Sequence, residues 1–315
     1  MPATTSTSLA ALIPTELISG IIVQSMGDKS TLKDLCAVRS GFKSYEFAEL
    51  GPLVAASVVE GAAVASVAVV PVGTTINASP QEVAPVELTR LALESQQGVD
   101  FLNLSGALGK ALSNRLNAQV CATFSDSFNG NRNSANSTDG AGNPAAMDLH
   151  TLELAIEIAE GNNSKAQPFG GAMGLAAVLH PSQVASIRGI IRQSSNFVTR
   201  EDILSIHPAL PSTGLQFGYY GCAIYSSVGI PAAAAFTPHL GTGVALATSV
   251  ALAAGNTKKG ALFPIAEGIG YVMQKDANIR TQETVLIGSG GVNLVAGFVG
   301  EAGRISEQLT MIQSA

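Results

Sequence analysis

Side chains able to do acid–base, nucleophilic or metal chemistry are few in this sequence and stand apart. The four histidines, His150, His180, His207 and His239, form no HxH or HxxxH pair, and three sit in HPSQ, HPAL and TPHL beside proline. A metal or general-base site needs converging ligands or a hydrogen-bonded partner; these read as isolated structural or surface imidazoles. Cys36, Cys121 and Cys222 are too widely spaced for a CxxC knuckle, and their odd number argues against a disulfide framework. They read as small buried apolar side chains in a protein folded in a reducing cytoplasm. The stretch IGSGGVNL (Ile287–Leu294) matches neither GxGxxG nor GxxxxGK[ST], and no helical pattern follows it. It reads as a tight turn between strands. No GxSxG elbow occurs. Glu201 and Asp202 precede ILSI and read as a helix start, where carboxylates favour the dipole. No cofactor or metal is implied, and the chain is read as non-enzymatic.

Composition points elsewhere. Of 315 residues only 13% are charged, against about a quarter in an ordinary soluble domain, and the mean hydropathy is positive. A surface so poor in charge must be covered, most simply by other copies of the chain. The net charge of −6 and the lack of any Lys/Arg run argue against a sequence-reading nucleic-acid binder, though not against contact with packed nucleic acid through a neutral face. The N-terminus has no basic region or apolar run of a secretory signal. The most unusual stretch is EGAAVASVAVVPVGTTINASPQ, uncharged from Gly61 to Gln81. A membrane span, a buried core element, or a sheet ribbon laid on another protein would each account for it. Gly61, Pro71 and Gly73, with a bulk of Ala, Ser and Thr, argue against a membrane helix. Thr242–Gly255 is apolar but too short and too alanine-rich for one.

The elements that must position these segments read as α+β. Residues 1–35 form an arm with one short amphipathic piece between Pro14 and Gly27. From Gly41 to Ser95 the pattern is β: FKSYEFAEL alternates, VAASVVEG and AVASVAVVPVGTT are rich in β-branched residues, and PVELTRLALES alternates again. So much strand with no helix to pack on makes a poor private core, since an isolated two-stranded ribbon is marginal in water. Phe101, Leu104, Leu108, Leu112, Leu116 and Val120 then mark one face of a helix of nearly 40 Å. Within it Gly106 and Gly109 are costly unless something packs closely against them. Asn129–Pro144, rich in Asn, Gly and Ser, reads as a mobile loop, so deleting Asn131–Ala141 is expected to leave folding intact. Asp148 caps a second helix, with Gly161 just beyond its end. GLAAVLHPSQVASIRGIIRQ reads as a buried strand entering a third helix, with Pro181 in its first turn. YYGCAIYSSVGIP, ALFPIAEGIGYVMQ and TQETVLIGSGGVNLVAGFVGE are again β.

This order of phrases resembles the major capsid proteins of tailed bacteriophages of the Hong Kong 97 type (the Johnson fold) from about Gly20 to Ile305. It runs from arm and strand-rich excursion through PVELTRLALES, a long helix and an Asn/Gly loop to VLHPSQ, GYYGCAIYSS, GALFPIAEGIGYV and terminal strands. The resemblance implies an N-terminal arm at 1–40, an extended E-loop at 41–96 and a P-domain spine helix at 97–127. It implies an A-domain with adjoining P-domain segments at 128–270, and returning P-domain strands with the C-terminus at 271–315. It implies a structural coat protein, assembled as hexamers and pentamers into an icosahedral head around double-stranded DNA. The subunit would be made in the host cytoplasm and end in the virion, and no membrane is involved. A portal and a separate scaffolding protein are the implied partners, with a decoration or cement protein as a further partner the resemblance allows; only about 40 residues precede the E-loop, too few for a fused scaffold. Some relatives weld the shell through an E-loop lysine, but Lys43 is the only lysine between Gly41 and Ser95 and lies at the loop's base, so that crosslink is not carried over.

The residues expected to pack between subunits are Val58, Val59, Val64, Val67, Val69 and Val70 of the ribbon and Ile21, Ile22 and Val23 of the arm; ordinary intrachain core is the competing role. Two other readings stay open. An encapsulin-type bacterial compartment shares the fold and encloses enzymes rather than a genome, and a trimeric β-rich adhesin or tail fibre would also use long strands.

Overall fold

The computed structural model describes residues 18, 20–24, 32–49, 72–83, 85–89, 101–126, 133–137, 145–161, 174–208, 210–230, 258–284, 291–306 and 308–314. Its strands are β1 (Ala37–Ser40), β2 (Ser44–Glu49), β3 (Val72–Asn77), β4 (Pro80–Glu82), β5 (Val86–Thr89), β6 (Asn133–Asn136) and β7 (Leu175–Leu179) in the first half. They continue with β8 (Phe197–Val198), β9 (Leu215–Tyr219), β10 (Cys222–Ser226), β11 (Lys258–Pro264), β12 (Ile269–Thr284), β13 (Gly291–Arg304) and β14 (Thr310–Ser314). The helices are α1 (Phe101–Ala122), α2 (Leu149–Gly161), α3 (Pro181–Ile191) and α4 (Arg200–Ile206).

Three sheets result among the described residues: a five-stranded one in the order β1-β12-β13-β4 with β5 also on β13, a seven-stranded one in the order β6-β14-β11-β7-β10-β9-β8, and the ribbon β2-β3. The seven-stranded sheet is apolar on both faces because helices cover both. Along β7, Ala176 and Val178 face a core shared with α1, while Leu175, Ala177 and Leu179 face a second core beneath α2 and α3. This explains why LAAVL is apolar without alternation.

The helices follow the sequence closely. On α1, Leu108, Leu112, Leu116 and Val120 are buried as the spacing predicts. Its 22 residues span about 33 Å, and a 3-10 turn carries the axis on through Ser125. A side chain added at Gly106 would meet nothing within 4 Å, so no close packing requires that glycine. At the start of α2, Asp148 Oδ1 accepts from the Thr151 amide at 2.8 Å. His180 and Gln183 form a reciprocal capping box before α3, with Pro181 at its first turn. Thr199 caps α4, which Glu201 and Asp202 open.

One expectation is overturned. Within Asn129–Pro144, residues 133–136 form β6, paired in parallel with β14 from Thr310↔Asn133 to Gln313↔Asn136. Asn133, Ser134 and Ala135 are buried. Composition alone marked this stretch as loop; the neighbouring strand supplies the ladder that its weak β propensity lacks.

The passage from β13 to β14 carries the chain from one sheet to the other, and Arg304 fastens it. Nearly fully buried, it donates from Nε to Ser306 O (2.9 Å), from Nη1 to Asp126 O (2.7 Å) and from Nη2 to Leu309 O (3.0 Å). The guanidinium thus collects carbonyls from the end of α1 and from the crossing itself, the multi-donor geometry that distinguishes arginine from lysine. No described helix is long and apolar enough to cross a membrane.

Candidate functional site

The ribbon expected to serve assembly is described at its root. After β1, Gly41 turns the chain at φ +86°, and its amide donates to Met273 O at 2.8 Å. Then β2 pairs antiparallel with β3, from Ser44↔Asn77 to Glu49↔Val72. The Ala78 amide donates to Lys43 O at 2.8 Å and closes the base.

Alternation sends Phe47 and Ile76 inward, where they are buried with Val272 and Ile305. They fit because β12 and β13 present two glycines directly opposite each other, Gly270 and Gly303. A Cβ at Gly270 would lie 2.8 Å from the Phe47 ring and from Ile305, and one at Gly303 would lie 2.8 Å from Ile76. The facing pair is therefore a seat that exists only while both side chains are hydrogen. Gly303→Ala should destabilise the subunit by about 1–3 kcal/mol through overpacking, read as a lowered urea midpoint. Adding Ile76→Ala should recover part of that loss. Strict additivity of the two substitutions would show that they do not share a seat.

Beside the seat, Phe42 stacks edge to face on Tyr45 at 5.3 Å and Tyr45 on Phe47 at 4.9 Å, and the Arg39 guanidinium lies 5.4 Å from the Tyr45 ring centre. Arg39, Tyr45 and Phe47, with Ala266, Glu267 and Ile305, border a cleft of about 310 Å³ beside the root.

The exit of the ribbon is tied to α1. From β3 the chain enters β4, paired with β13 at Glu82↔Gly297 and Pro80↔Val299. The Ser79 hydroxyl donates to Glu301 Oε2, Gln81 Nε2 donates to Ser79 Oγ at 2.7 Å, and Arg115 Nε of α1 donates to Gln81 Oε1 at 2.8 Å. Nearby, Tyr271 OH donates to Gln119 Oε1 at 3.1 Å, and Gln119 Nε2 to Gly300 O at 3.2 Å. The exposed Glu82–Arg280 pair at 3.5 Å adds little.

Of the nine residues expected between subunits, Val58, Val59, Val64, Val67, Val69 and Val70 lie outside the described residues. Ile22 is covered by its own chain, in the core with Leu32 and Leu35. Ile21 is half-buried and Val23 is 42% exposed, so Val23 is the arm residue with surface to offer. Phe42, Gly270 and Gly303 were not singled out by sequence. The signal for the two glycines was present in GIGYV and GEAGR, where glycine interrupts strands and so marks close backbone approach.

The groups that could have done chemistry take structural places. Cys36, Cys121 and Cys222 are free and buried. Burial pushes all three thiols up, Cys121 and Cys222 to about 12, so none is a ready thiolate. His180 Nδ1 accepts from the Ser182 amide at 3.2 Å, and its pKa is lowered by burial and then by Lys258. Among the described residues no three potential metal ligands cluster.

No family model and no curated protein matches the sequence. Solved structures do match in shape. The capsid of the cyanophage P-SCSP1u aligns with a TM-score of 0.56 at 16% identity, over 91% of this chain and 88% of that one. The capsid of Ralstonia phage GP4 aligns at 0.57 and 9% identity, over 89% and 87%. A virus-like particle from Pyrococcus furiosus aligns at 0.57 and 10% identity, over 95% and 98%. Identities this low speak to architecture: the chain has the α+β, Hong Kong 97-like fold of tailed-phage capsid proteins.

Proposed function

We propose that this chain is the major capsid protein of a tailed bacteriophage, a non-enzymatic subunit that self-assembles as hexamers and pentamers into an icosahedral head around double-stranded DNA. One observation carries the reading. A ribbon seated firmly at its root on the sheet of its own chain leads into residues 50–71, of which Glu60 alone is charged. A two-stranded ribbon without a covering layer is marginal in water, and a neighbouring copy supplies that layer. The arm, through Val23, and the ribbon valines are the contacts this reading assigns. Many modest contacts, each buried only in the assembled state, then close the shell. A separate scaffolding protein, a portal and a decoration protein are the partners that follow, with DNA held by proximity rather than by base contacts. Lys43, the only lysine between Gly41 and Ser95, stands at the foot of the ribbon, so a ribbon-lysine weld is not part of this reading.

Negative-stain imaging of particles from cells making the chain tests the proposal. Uniform polyhedra that fill with DNA support it. A small shell carrying a co-purified protein would assign the chain to the encapsulating compartments, and a rod would assign it to the trimeric fibres.

A further inference from the structure

We propose that Gln313, Asn136 and Ser134 bind buried water on one face of the β6–β14 pair, and that this water braces β6 in the sheet. The inference concerns a single chain and stands apart from the shell reading.

Register sets the geometry. In the parallel β6–β14 pair, Gln313 lies opposite Asn136, Ile312 opposite Ala135 and Met311 opposite Ser134. Ala135 and Ile312 point into the core beneath α2. Alternation therefore turns Ser134, Asn136, Met311 and Gln313 to the other face. That is the face on which Ala261, opposite Met311, joins the core shared with α1. Neighbouring strands lie about 4.8 Å apart, and residues two apart on one strand about 6.6 Å. The three polar side chains thus stand within reach of a bridging water.

Their polar atoms are unmatched. Gln313 is fully buried and Ser134 nearly so. Gln313 Nε2, Gln313 Oε1, Ser134 Oγ and Asn136 Oδ1 are all buried, and none has a hydrogen-bond partner in the chain. Among the described residues, Gln313 is the one side chain whose buried donor and acceptor both lack a partner. Native proteins seldom leave such groups unmatched, because each has given up its bonds to solvent. Ser137, just beyond β6, shows the usual arrangement, with its hydroxyl donating to Ala146 O at 2.6 Å.

What these atoms need identifies the ligand. Nε2 must donate, Oε1 and Asn136 Oδ1 must accept, and the Ser134 hydroxyl can do either. A cation would meet the Nε2 hydrogens, and an anion would meet the two carbonyl oxygens. Water donates and accepts at once, and a buried water typically makes about three such bonds. Room for it lies over β6, where Ser134 and Asn136 are shorter than the Met311 and Gln313 side chains beside them. The role is structural. Strand β6 is NSAN, and the polar residues that make it resemble a loop are the ones that tie it to β14.

Two measurements on the purified full chain test this. The first is a density map of the wild type, fine enough to show ordered water. Density within hydrogen-bond distance of both the Gln313 amide and Asn136 Oδ1 is expected. A direct Gln313–Asn136 hydrogen bond, or a dry contact, overturns the proposal. The second is thermal unfolding of Gln313→Met, which nearly keeps the side-chain length and removes the amide. A dry amide is a burden, so its loss would raise the unfolding temperature or leave it unchanged. An amide bridged by water supports Asn136 and Ser134, so the unfolding temperature should fall by roughly 2 °C or more. A rise, or no change, overturns the bracing role. If Gln313→Met does not fold, the map alone decides.

Discussion

Replacing Val67 and Val69 with aspartate is expected to leave a folded, soluble subunit that no longer forms shells. Both positions lie in the uncharged stretch between Gly61 and Gln81. If that stretch is covered by a neighbour, each carboxylate must lose its water with no cation waiting for it. Even a neutral polar group so treated costs at least about 2 kcal/mol, and a charge costs more. Two of them weaken each contact by roughly a thousandfold, at about 1.4 kcal/mol per tenfold. The subunit itself should hardly notice, because the ribbon's root is fixed elsewhere, by Phe47 and Ile76 in the glycine seat and by the β2–β3 ladder. Sedimentation separates the outcomes: particles of normal size from the double variant would remove the ribbon from the assembly contacts, and an unfolded subunit would place these valines in its own core.

Deleting Asn131–Ala141 is expected to make the subunit insoluble, the reverse of what composition suggested. The deletion takes out β6, whose Asn133, Ser134 and Ala135 are buried beside β14. It also removes Ser137, whose amide donates to Gln313 O at 2.8 Å and whose hydroxyl donates to Ala146 O at 2.6 Å. Ladder bonds contribute about 1 kcal/mol each, and their loss uncovers Ile312 and Leu152 of the core beneath α2 as well. The sum rivals the whole stability of an ordinary domain, about 5–15 kcal/mol. A soluble deletion variant with a cooperative melt would show that β14 does not depend on β6.

These two cases mark where the sequence is readable. Periodicity sees a face and local chemistry marks an end, so the buried stripe of α1 from Leu108 to Val120, the cap at Asp148 and the proline in the first turn of α3 could be placed residue by residue. It does not see a partner strand. β6 is NSAN, four residues without one strong strand former, and it is a strand because β14 arrives from far along the chain to lie next to it. The seat has the same origin. GIGYV and GEAGR mark each glycine as a point of close approach, but only the β12–β13 register sets Gly270 and Gly303 opposite each other beneath Phe47 and Ile76. Arg304 likewise reads as one more basic residue until the chain end brings the Leu309 carbonyl to it. The assembly contacts are the least legible part, since a valine bound for a neighbour and one bound for its own core look alike.

The glycine seat also bears on how the subunit behaves as its surroundings change. Its members carry no charge, and shape together with backbone pairing sets the angle at which the ribbon departs. Ionic strength screens attractions between charged surfaces but leaves such a fit untouched. In the proposed shell, brine or dilute buffer would therefore alter how strongly particles repel one another, while the seating of each ribbon's root on its own sheet would stay fixed.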